Sequence, residues 1–414
     1  MKRIKQSVCC LLVLLVSATM LLGAAAAPNV DANIDNAMNF YRTELAESFQ
    51  TGDLAADVWE LLCLVQSGKY AEPEYQFMKT EGPALTDKST PTDYAKKILT
   101  YILLEKDVTQ LAGELAAMQN ENGDFVRGEV VSATNTAFSV LALLAARAQD
   151  VEVSFDCDKA VAAITAQAKA DKGYNDYGEE GNVDTTGMVL LGLAAAKENG
   201  CAAAASAVDA AASFLRSTLQ DTGYFVGQGM YDCPNACSQA YGIIGLIAAG
   251  ENMADAKWDA SLKALLERQD PNGGFWYQAK GEDGQWPFAP DQMSTYQAMM
   301  ALFDYRAQDS FLVSLTRKKA STPVSSELNP DSSSGDIEQP GSQGQESAIS
   351  TVSPSSNSTL STSNSNPKTG DTGISSIVWI VLGIAVVAVL VAVLVPVFSQ
   401  KKKEKQNTDS TKQD

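Results

Sequence analysis

The sequence predicts an all-α fold, an (α/α)6 toroid in which six helical hairpins close into a double ring. A glycine recurs every fifty residues and is followed within two residues by an aromatic side chain, at Gly123, Gly173, Gly223 and Gly273. After each glycine, a polar loop leads into an alanine-rich apolar helix pattern. A fixed period of this size indicates a repeat architecture, in which each unit buries its apolar face against the next.

Helix-period apolar patterns define two helices in each unit, an amphipathic outer helix and then an inner helix that is apolar nearly all round. In chain order the predicted pairs are 32–49 with 55–65, 75–78 with 93–104, 111–118 with 135–144, 160–168 with 184–195, 203–219 with 238–248, and 260–266 with 294–303. The first two pairs are degenerate. Six pairs favour a closed ring over the alternative, an open solenoid, which usually needs polar capping repeats. Gly192 and Gly245 lower the helix propensity of their inner helices, and close helix packing is the expected compensation.

The start of the chain has the composition of a targeting segment. Lys2, Arg3 and Lys5 precede an apolar stretch at 8–22, which ends in a row of alanines. This layout is typical of a cleaved signal peptide, predicted at residues 1–26, with an N-terminal membrane helix as the alternative. The toroid is then predicted at 27–316.

The chain after the toroid changes character three times. Residues 317–365 are rich in Ser, Thr, Pro and Gln, a composition that predicts a disordered stalk. An apolar stretch at 377–398 is long enough for one transmembrane helix. The basic residues of the tail 399–414 favour a cytoplasmic C-terminus and therefore an extracellular body.

Composition excludes several function classes. The formal net charge of −19 argues against nucleic acid as a partner. The chain contains no histidine, which excludes Ser-His-Asp and Cys-His catalysis and histidine-containing zinc sites. No cofactor or metal is therefore expected. The cysteines after the signal follow no regular framework, although the spacing of Cys233 and Cys237 would allow a small loop disulfide.

The repeat resembles the prenyltransferase and squalene-oxidase repeat of the terpenoid cyclase-like toroid superfamily. The segments 119–125 and 269–276 fit the Gln-x-x-x-Gly-x-aromatic pattern called the QW motif, whereas Gly173 and Gly223 keep its glycine–aromatic half. The resemblance implies that the aromatic side chain plugs the seam between hairpins, at Trp276 in the last repeat. The acidic and metal-binding motifs of the catalytic relatives are missing, so the resemblance implies the fold without the cyclase or transferase chemistry.

A second resemblance concerns residues 366–371. The residues Asn366, Pro367, Thr369 and Gly370, followed by the apolar stretch and basic tail, resemble a Gram-positive cell-wall sorting signal. The usual form begins with leucine. The resemblance implies that a sortase cleaves after Thr369 and links it to the wall, after the C-terminal helix has held the precursor in the membrane. A simple tail-anchored protein is the alternative.

Ligand contacts in this fold are expected at the loops where the inner helices begin, because helix N-termini offer unpaired N–H groups. Aromatic residues there suit a sugar or cofactor pocket, and polar residues there suit ligand contacts, although helix capping and seam packing are the simpler roles. The predicted ligand-binding residues are Trp286, Asp291, Asp184, Tyr177, Tyr231, Tyr277, Tyr94 and Trp59. Trp286 lies in the longest loop of the repeats.

These observations predict a surface-anchored binding or interaction module, with a small molecule, a glycan or a surface protein as its partner. The alternative is a surface enzyme, either terpene cyclase-like or a glycan lyase or hydrolase. In that case Asp184 and Asp291 would be a carboxylate pair at the mouth of the toroid.

Overall fold

A computed structural model describes residues 28–128, 130–226, 233–278 and 288–318, and within these ranges the secondary structure is helical, with isolated bridges in place of β-strands. The α-helices are α1 Asp31–Phe40, α2 Ala46–Thr51, α3 Val58–Gln66, α4 Pro91–Leu103, α5 Thr109–Ala116, α6 Ala133–Ala148, α7 Cys157–Ala166, α8 Val183–Glu198, α9 Ala204–Thr218, α10 Ala236–Ala249, α11 Asp259–Leu266, α12 Gln292–Ala307 and α13 Phe311–Ser314. A π-helical turn, Tyr41–Leu45, joins α1 to α2, and 3-10 turns form at Pro73–Met78 and Ala256–Trp258.

Six of these helices form a closed inner ring. Helices α3, α4, α6, α8, α10 and α12 each contact the next in this order, and α12 contacts α3. The outer position of each hairpin is taken by α1, the 3-10 turn Pro73–Met78, α5, α7, α9 and α11 in turn. The predicted helical fold is confirmed, and the contact between α12 and α3 excludes the open solenoid.

The inner helices pack closely because small residues face their neighbours. A Cβ atom at Gly192 of α8 would lie 2.3 Å from the carbonyl oxygen of Ala137 in α6. One at Gly187, also in α8, would lie 2.4 Å from the carbonyl oxygen of Tyr241 in α10. Larger side chains at these positions would force the helices apart, so the propensity lost at such glycines is offset by helix–helix packing.

The recurring glycine holds three of the four seams between hairpins, and in the remaining one Lys172, just before Gly173, has the left-handed conformation, with a φ of 74°. Gly123, Gly223 and Gly273 have φ angles of 99°, 87° and 99°, a region that residues with a side chain rarely adopt. A Cβ atom at Gly123 would lie 2.3 Å from the carbonyl oxygen of Lys159 in α7, and one at Gly223 would lie 2.3 Å from that of Ala260 in α11. The glycine loop of one hairpin is thus pressed against the outer helix of the next.

The same contact closes the ring. A Cβ atom at Gly273 would lie 1.9 Å from the carbonyl oxygen of Asn36 in α1. Gln269 accepts a hydrogen bond from Asn33 Nδ2 at 2.6 Å and donates one to the Asn33 carbonyl oxygen at 2.7 Å. Gln119 makes the matching pair of bonds with the backbone of Asp156, at the start of α7. The last repeat therefore contacts the first repeat through the same kind of glutamine hydrogen bonds that join the third repeat to the fourth.

The aromatic plug of the seam is the buried aromatic residue one or two positions after the recurring glycine, and this corrects the expectation for Trp276. Phe125, Phe225 and Phe275 are each 0% exposed, and Tyr174 is 2% exposed. Trp276 is only half-buried, and its Nε1 donates to Asp270 Oδ2 at 3.0 Å. Side chains alternate in direction along the short extended segment, so Phe275 points into the seam and Trp276 toward its edge.

A disulfide joins Cys157, at the start of α7, to Cys201, just before α9, with the two Cα atoms 6.2 Å apart. It ties together two neighbouring hairpins. Cys63, Cys233 and Cys237 are free, so the loop disulfide suggested by the spacing of Cys233 and Cys237 is not formed. Cys237 lies in the first turn of α10 and is buried, whereas Cys233 precedes the cap of that helix.

The chain leaves the ring through α13 at the end where the inner helices finish. Arg317 forms ion pairs with Asp309 and with Glu198, the last residue of α8. The predicted signal peptide, most of the stalk, the sorting residues Asn366, Pro367, Thr369 and Gly370, the transmembrane stretch and the tail lie outside the described residues. Among the helices that are described, none is both long and apolar enough to cross a membrane.

Candidate functional site

The first turns of the inner helices meet at one end of the ring, which we call the mouth. Thr92 Oγ1 of α4 donates to Asn135 Oδ1 of α6 at 2.7 Å. Gln292 Nε2 of α12 donates to Glu60 Oε1 of α3 at 2.6 Å. Every inner helix begins with a polar cap, at Asp57, Thr90, Ser132, Asn182, Asn235 and Asp291. The mouth therefore carries a rim of hydrogen-bonded polar side chains.

Most polar residues of the mouth act as caps. Asp291 Oδ1 accepts from the backbone N–H of Ser294 at 2.8 Å, and its Oδ2 accepts from the Ser294 hydroxyl at 2.7 Å. Asn235 caps α10 in the same way through the backbone N–H of Ser238, at 2.8 Å. Both Asp291 oxygens are thus occupied by its own helix, which is the ordinary role of an aspartate at this position.

Asp184 is the exception among the predicted acidic residues. It lies at the second position of α8, where Asn182 already supplies the cap. Its Oδ1 is closed to solvent and has no hydrogen-bond partner. Burial raises the pKa of the Asp184 carboxyl, and the nearby Ser238 hydroxyl partly opposes the rise. A buried polar atom without a partner is costly, so Asp184 is a candidate for contact with a ligand.

Cys237 lies between the two predicted carboxylates. Burial raises the pKa of the Cys237 thiol, and Asp184 and Asp291 raise it further. The structure therefore brings Asp184 of α8 and Asp291 of α12 to the two sides of α10. A thiol with such a raised pKa is not a nucleophile, because the reactive form is the thiolate.

A buried layer of polar residues closes the mouth from below. Glu60 of α3 is 0% exposed and belongs to a capping box with Asp57. Burial raises the pKa of Glu60, while the hydrogen bond from Gln292 opposes the rise. Burial also raises the pKa of Tyr41, Tyr241 and Tyr296. Sequence reasoning missed Glu60, although its position three residues after Asp57 is a capping-box signal.

The predicted aromatic residues occupy different environments. Trp59 is 5% exposed and packs against Phe138, with ring centroids 5.8 Å apart, so it fills the lumen. Tyr94 is 7% exposed, and its hydroxyl accepts from Arg127 Nη1 at 3.3 Å. Tyr177 is fully exposed at the surface. Tyr277 is half-buried beside the start of α10.

Trp286 and Tyr231 lie outside the described residues, so their predicted roles at the mouth stay predictions. Within the described ranges, no group of three or more Asp, Glu or Cys side chains is arranged to hold a metal ion. The described part of the mouth offers a carboxyl oxygen, Asp184 Oδ1, that is free to form a hydrogen bond.

Two cavities lined by described residues lie at the opposite end of the ring. One of about 290 Å³ is bordered by the ends of α8 and α10 and by Arg317. Its carboxylates are already paired, Glu198 with Arg317 and Glu251 with Arg216 and Lys257. The other, about 720 Å³, is an open depression beside Arg147 and Lys318. Neither cavity is lined by Asp184.

Comparison with solved structures finds helical enzymes of low sequence identity. A polysaccharide lyase has 12% identity and a TM-score of 0.47, with 67% of this chain and 98% of that chain covered. The unsaturated glucuronyl hydrolase of Bacillus sp. GL1 has 13% identity and a TM-score of 0.43, with coverages of 66% and 95%. A type II terpene cyclase from Scytonema has 15% identity and a TM-score of 0.36, with coverages of 67% and 87%.

At these values the similarities say nothing about activity, and the closed ring rests on the helix contacts described above. No protein-family model matches the sequence, and no curated protein sequence matches it. The resemblance to the QW repeat therefore stands on the glycine and glutamine contacts at the seams.

Proposed function

We propose that this toroid is a ligand-binding module whose ligand is hydrogen-bonded by Asp184 at the mouth. The observation that carries the proposal is the buried Asp184 Oδ1 without a partner, in the first turn of α8. Burial raises the pKa of the Asp184 carboxyl, which accepts hydrogen bonds in either protonation state and donates one when it is protonated. A hydroxyl-bearing ligand such as a glycan matches that pattern, because a hydroxyl both donates and accepts.

The rigid ring supports this role. Cys237 and Ser238 stand on the helix beside Asp184, and both lie in a first turn fixed by the Asn235 cap. Side chains held on packed helices lose little entropy when a ligand binds. The absence of histidine leaves the chain without the commonest general base near neutral pH, which favours binding over catalysis.

The test is a glycan and small-molecule screen of the toroid followed by variants of Asp184. Asp184→Ala removes the donor and the acceptor and should weaken binding of a hit by about 10- to 100-fold, the usual cost of leaving a polar ligand group unpaired. Asp304→Asn is the matched control, since Asp304 is also a buried carboxyl but lies at the other end of the ring. Equal affinity of the wild type and Asp184→Ala would place the ligand elsewhere.

The second candidate function is an enzyme in which Asp184 is the general acid. The raised pKa of Asp184, caused chiefly by burial, is the observation that favours it. Asp184→Asn separates the two functions, because an amide keeps a hydrogen-bond donor and acceptor but transfers no proton. A binding module keeps its affinity in this variant, whereas an enzyme keeps its affinity and loses turnover of the bound glycan.

We further propose that the toroid is displayed on the cell surface through the sorting residues Asn366, Pro367, Thr369 and Gly370. The order of motif, apolar stretch and basic tail supports the proposal. Thr369→Ala should leave the protein in the membrane fraction, whereas the wild type should be released by an enzyme that digests the wall. Release of both proteins in equal amounts would contradict sortase attachment.

A further inference from the structure

Arg268 is a buried arginine without a carboxylate partner among the described residues. It lies just after the outer helix α11, whose last turn is the end nearest the mouth. Arg268 is 1% exposed. Its guanidinium lies over the ring of Tyr224, 5.1 Å from the centroid, and Nη1 donates to the Tyr277 carbonyl oxygen at 3.3 Å. A buried positive charge left without a counter-ion is energetically costly, so its position calls for an anion.

The free part of the guanidinium has a definite shape. Nε and Nη2 are closed to solvent and have no hydrogen-bond partner. These two nitrogens form one edge of the planar group, with their N–H bonds nearly parallel, and that edge matches the two oxygens of a carboxylate. Because Nη1 is held by Tyr277, the rotation of the group is fixed and the free edge keeps one direction.

Arg268 belongs to the same region as Asp184. The Tyr277 carbonyl that accepts from Arg268 also accepts from the backbone N–H of Ala236, the first residue of α10, at 2.7 Å. Burial raises the pKa of Cys237, the Asp184 and Asp291 carboxylates add to the rise, and Arg268 opposes it. The guanidinium and the Asp184 carboxyl therefore act on one residue, and the positive end of the α10 dipole adds to the attraction for an anion.

We propose that Arg268 is the anion-binding residue of the mouth and that it takes the carboxylate of a small-molecule ligand through Nε and Nη2. The inference rests on the proposed function, since it names the charged group of the ligand that Asp184 contacts. A single negative charge is favoured over a phosphate dianion, because the Asp291 carboxylate acts on the same Cys237 as Arg268 does and would repel the second charge. Both nitrogens are closed to solvent, so entry of the ligand requires rearrangement of the side chains above them.

The probe is sodium acetate, titrated into the full toroid at constant ionic strength with sodium chloride as the replaced salt. A ligand that binds the folded state and not the unfolded state raises the melting temperature of the protein. At about ten times the dissociation constant, a rise of about 2 to 4 °C is expected for a domain of this size. Sodium phosphate in the same series should give a smaller rise, and a larger one would overturn the assignment to a carboxylate.

The variants are Arg268→Met and Arg268→Lys, with Arg216→Met as the matched control. Arg216 is an arginine of the outer helix α9 that pairs with Glu251 at the surface. The acetate effect should disappear in Arg268→Met, fall strongly in Arg268→Lys, which lacks the two-nitrogen edge, and persist in Arg216→Met. In the absence of acetate, Arg268→Met should melt no lower than the wild type, since it removes an uncompensated charge.

An acetate effect that is absent from the wild type, or equal in the wild type and Arg268→Lys, would overturn the inference. Asp184→Ala distinguishes it from the proposed function. If acetate stabilises Asp184→Ala as it does the wild type while no screened ligand depends on Asp184, the carboxylate site stands and the proposed Asp184 contact fails.

Discussion

At the residue scale, exposure and hydrogen-bond partners separate residues that have the same place in the sequence pattern. Asp184 and Asp291 both begin inner helices, yet Asp291 is fully used as a cap and Asp184 has an unpartnered oxygen. The sequence predicted that both lie at the mouth. It could not separate their roles, because the cap of α8 is Asn182, two residues before Asp184, and that boundary depends on the backbone conformation.

Phe275 and Trp276 provide a stability test at this scale. Phe275→Ala should lower the free energy of unfolding by about 3 to 5 kcal/mol, because it empties a fully buried seam. Trp276→Ala should cost about 1 to 2 kcal/mol, since a half-buried ring and its bond to Asp270 are lost. Urea denaturation of the two variants measures the difference. Equal losses would show that both rings plug the seam.

Asp304 predicts a pH dependence of stability. Burial raises its pKa from 3.8 to about 8, although the Phe311 N–H donates to Oδ1 at 3.0 Å. A carboxyl with a raised pKa favours folding while it is protonated, and this contribution fades as the pH rises from about 4 through about 8. The gap in unfolding free energy between the wild type and Asp304→Asn should change over that window, by at most about 6 kcal/mol. A gap that stays constant with pH would contradict the buried, protonated carboxyl.

At the element scale, the hairpin is held to its neighbour by a glycine loop and not by helix packing alone. Gly273 of the last repeat touches α1 of the first, and Gln269 clamps the same helix. The first helix therefore has two partners in the last repeat, the inner helix α12 and the loop that carries Gly273. This contact should decide whether the ring stays closed.

Two glycines with nearly the same backbone conformation test the closure. Gly273 and Gly250 have φ angles of 99° and 98°, but a Cβ atom at Gly250 would meet no atom within 4 Å. Gly250→Ala should cost about 1 to 2 kcal/mol, the strain of the left-handed conformation. Gly273→Ala should cost clearly more, because it also pushes Asn36 away. Chemical denaturation checks the pair, and equal costs would mean that the seam yields without strain.

The local apolar pattern of the sequence was sufficient to predict the helices. The features that it missed depend on contacts between residues far apart in the sequence. All six helix pairs were predicted, including the short outer turn at Pro73–Met78, because their apolar periodicity is local. The Cys157–Cys201 bond was missed, since it depends on how the start of α7 packs against the loop before α9. The same limit applies to Arg268, whose burial arises from the fold around it.

At the scale of the whole molecule, the ring is closed by side-chain contacts, and the Cys157–Cys201 disulfide cross-links one of its seams. The disulfide spans 44 residues of sequence. A cross-link of that length restricts the unfolded chain, and the unfolded state is where most of its effect on stability is expected. The seam between the fourth and fifth hairpins should therefore be the most resistant to opening.

Reduction of the protein tests this expectation. Cys157→Ser with Cys201→Ser should lower the free energy of unfolding by about 3 to 4 kcal/mol, and dithiothreitol should have the same effect on the wild type but none on the double variant. Cys233→Ser is the control and should keep the full response to the reductant, because Cys233 is free. Loss of the response in Cys233→Ser would indicate a different pairing.

The exit of the chain through α13 lies at the end of the ring opposite the mouth. Arg317 leaves the ring beside the last residue of α8, whereas Asp184 stands at the first turn of that same helix. A helix of 16 residues is about 24 Å long, so Arg317 and the mouth are separated by the full height of the ring. A support joined to the C-terminus would thus be attached at the end opposite Asp184, and the attachment itself would leave the mouth free.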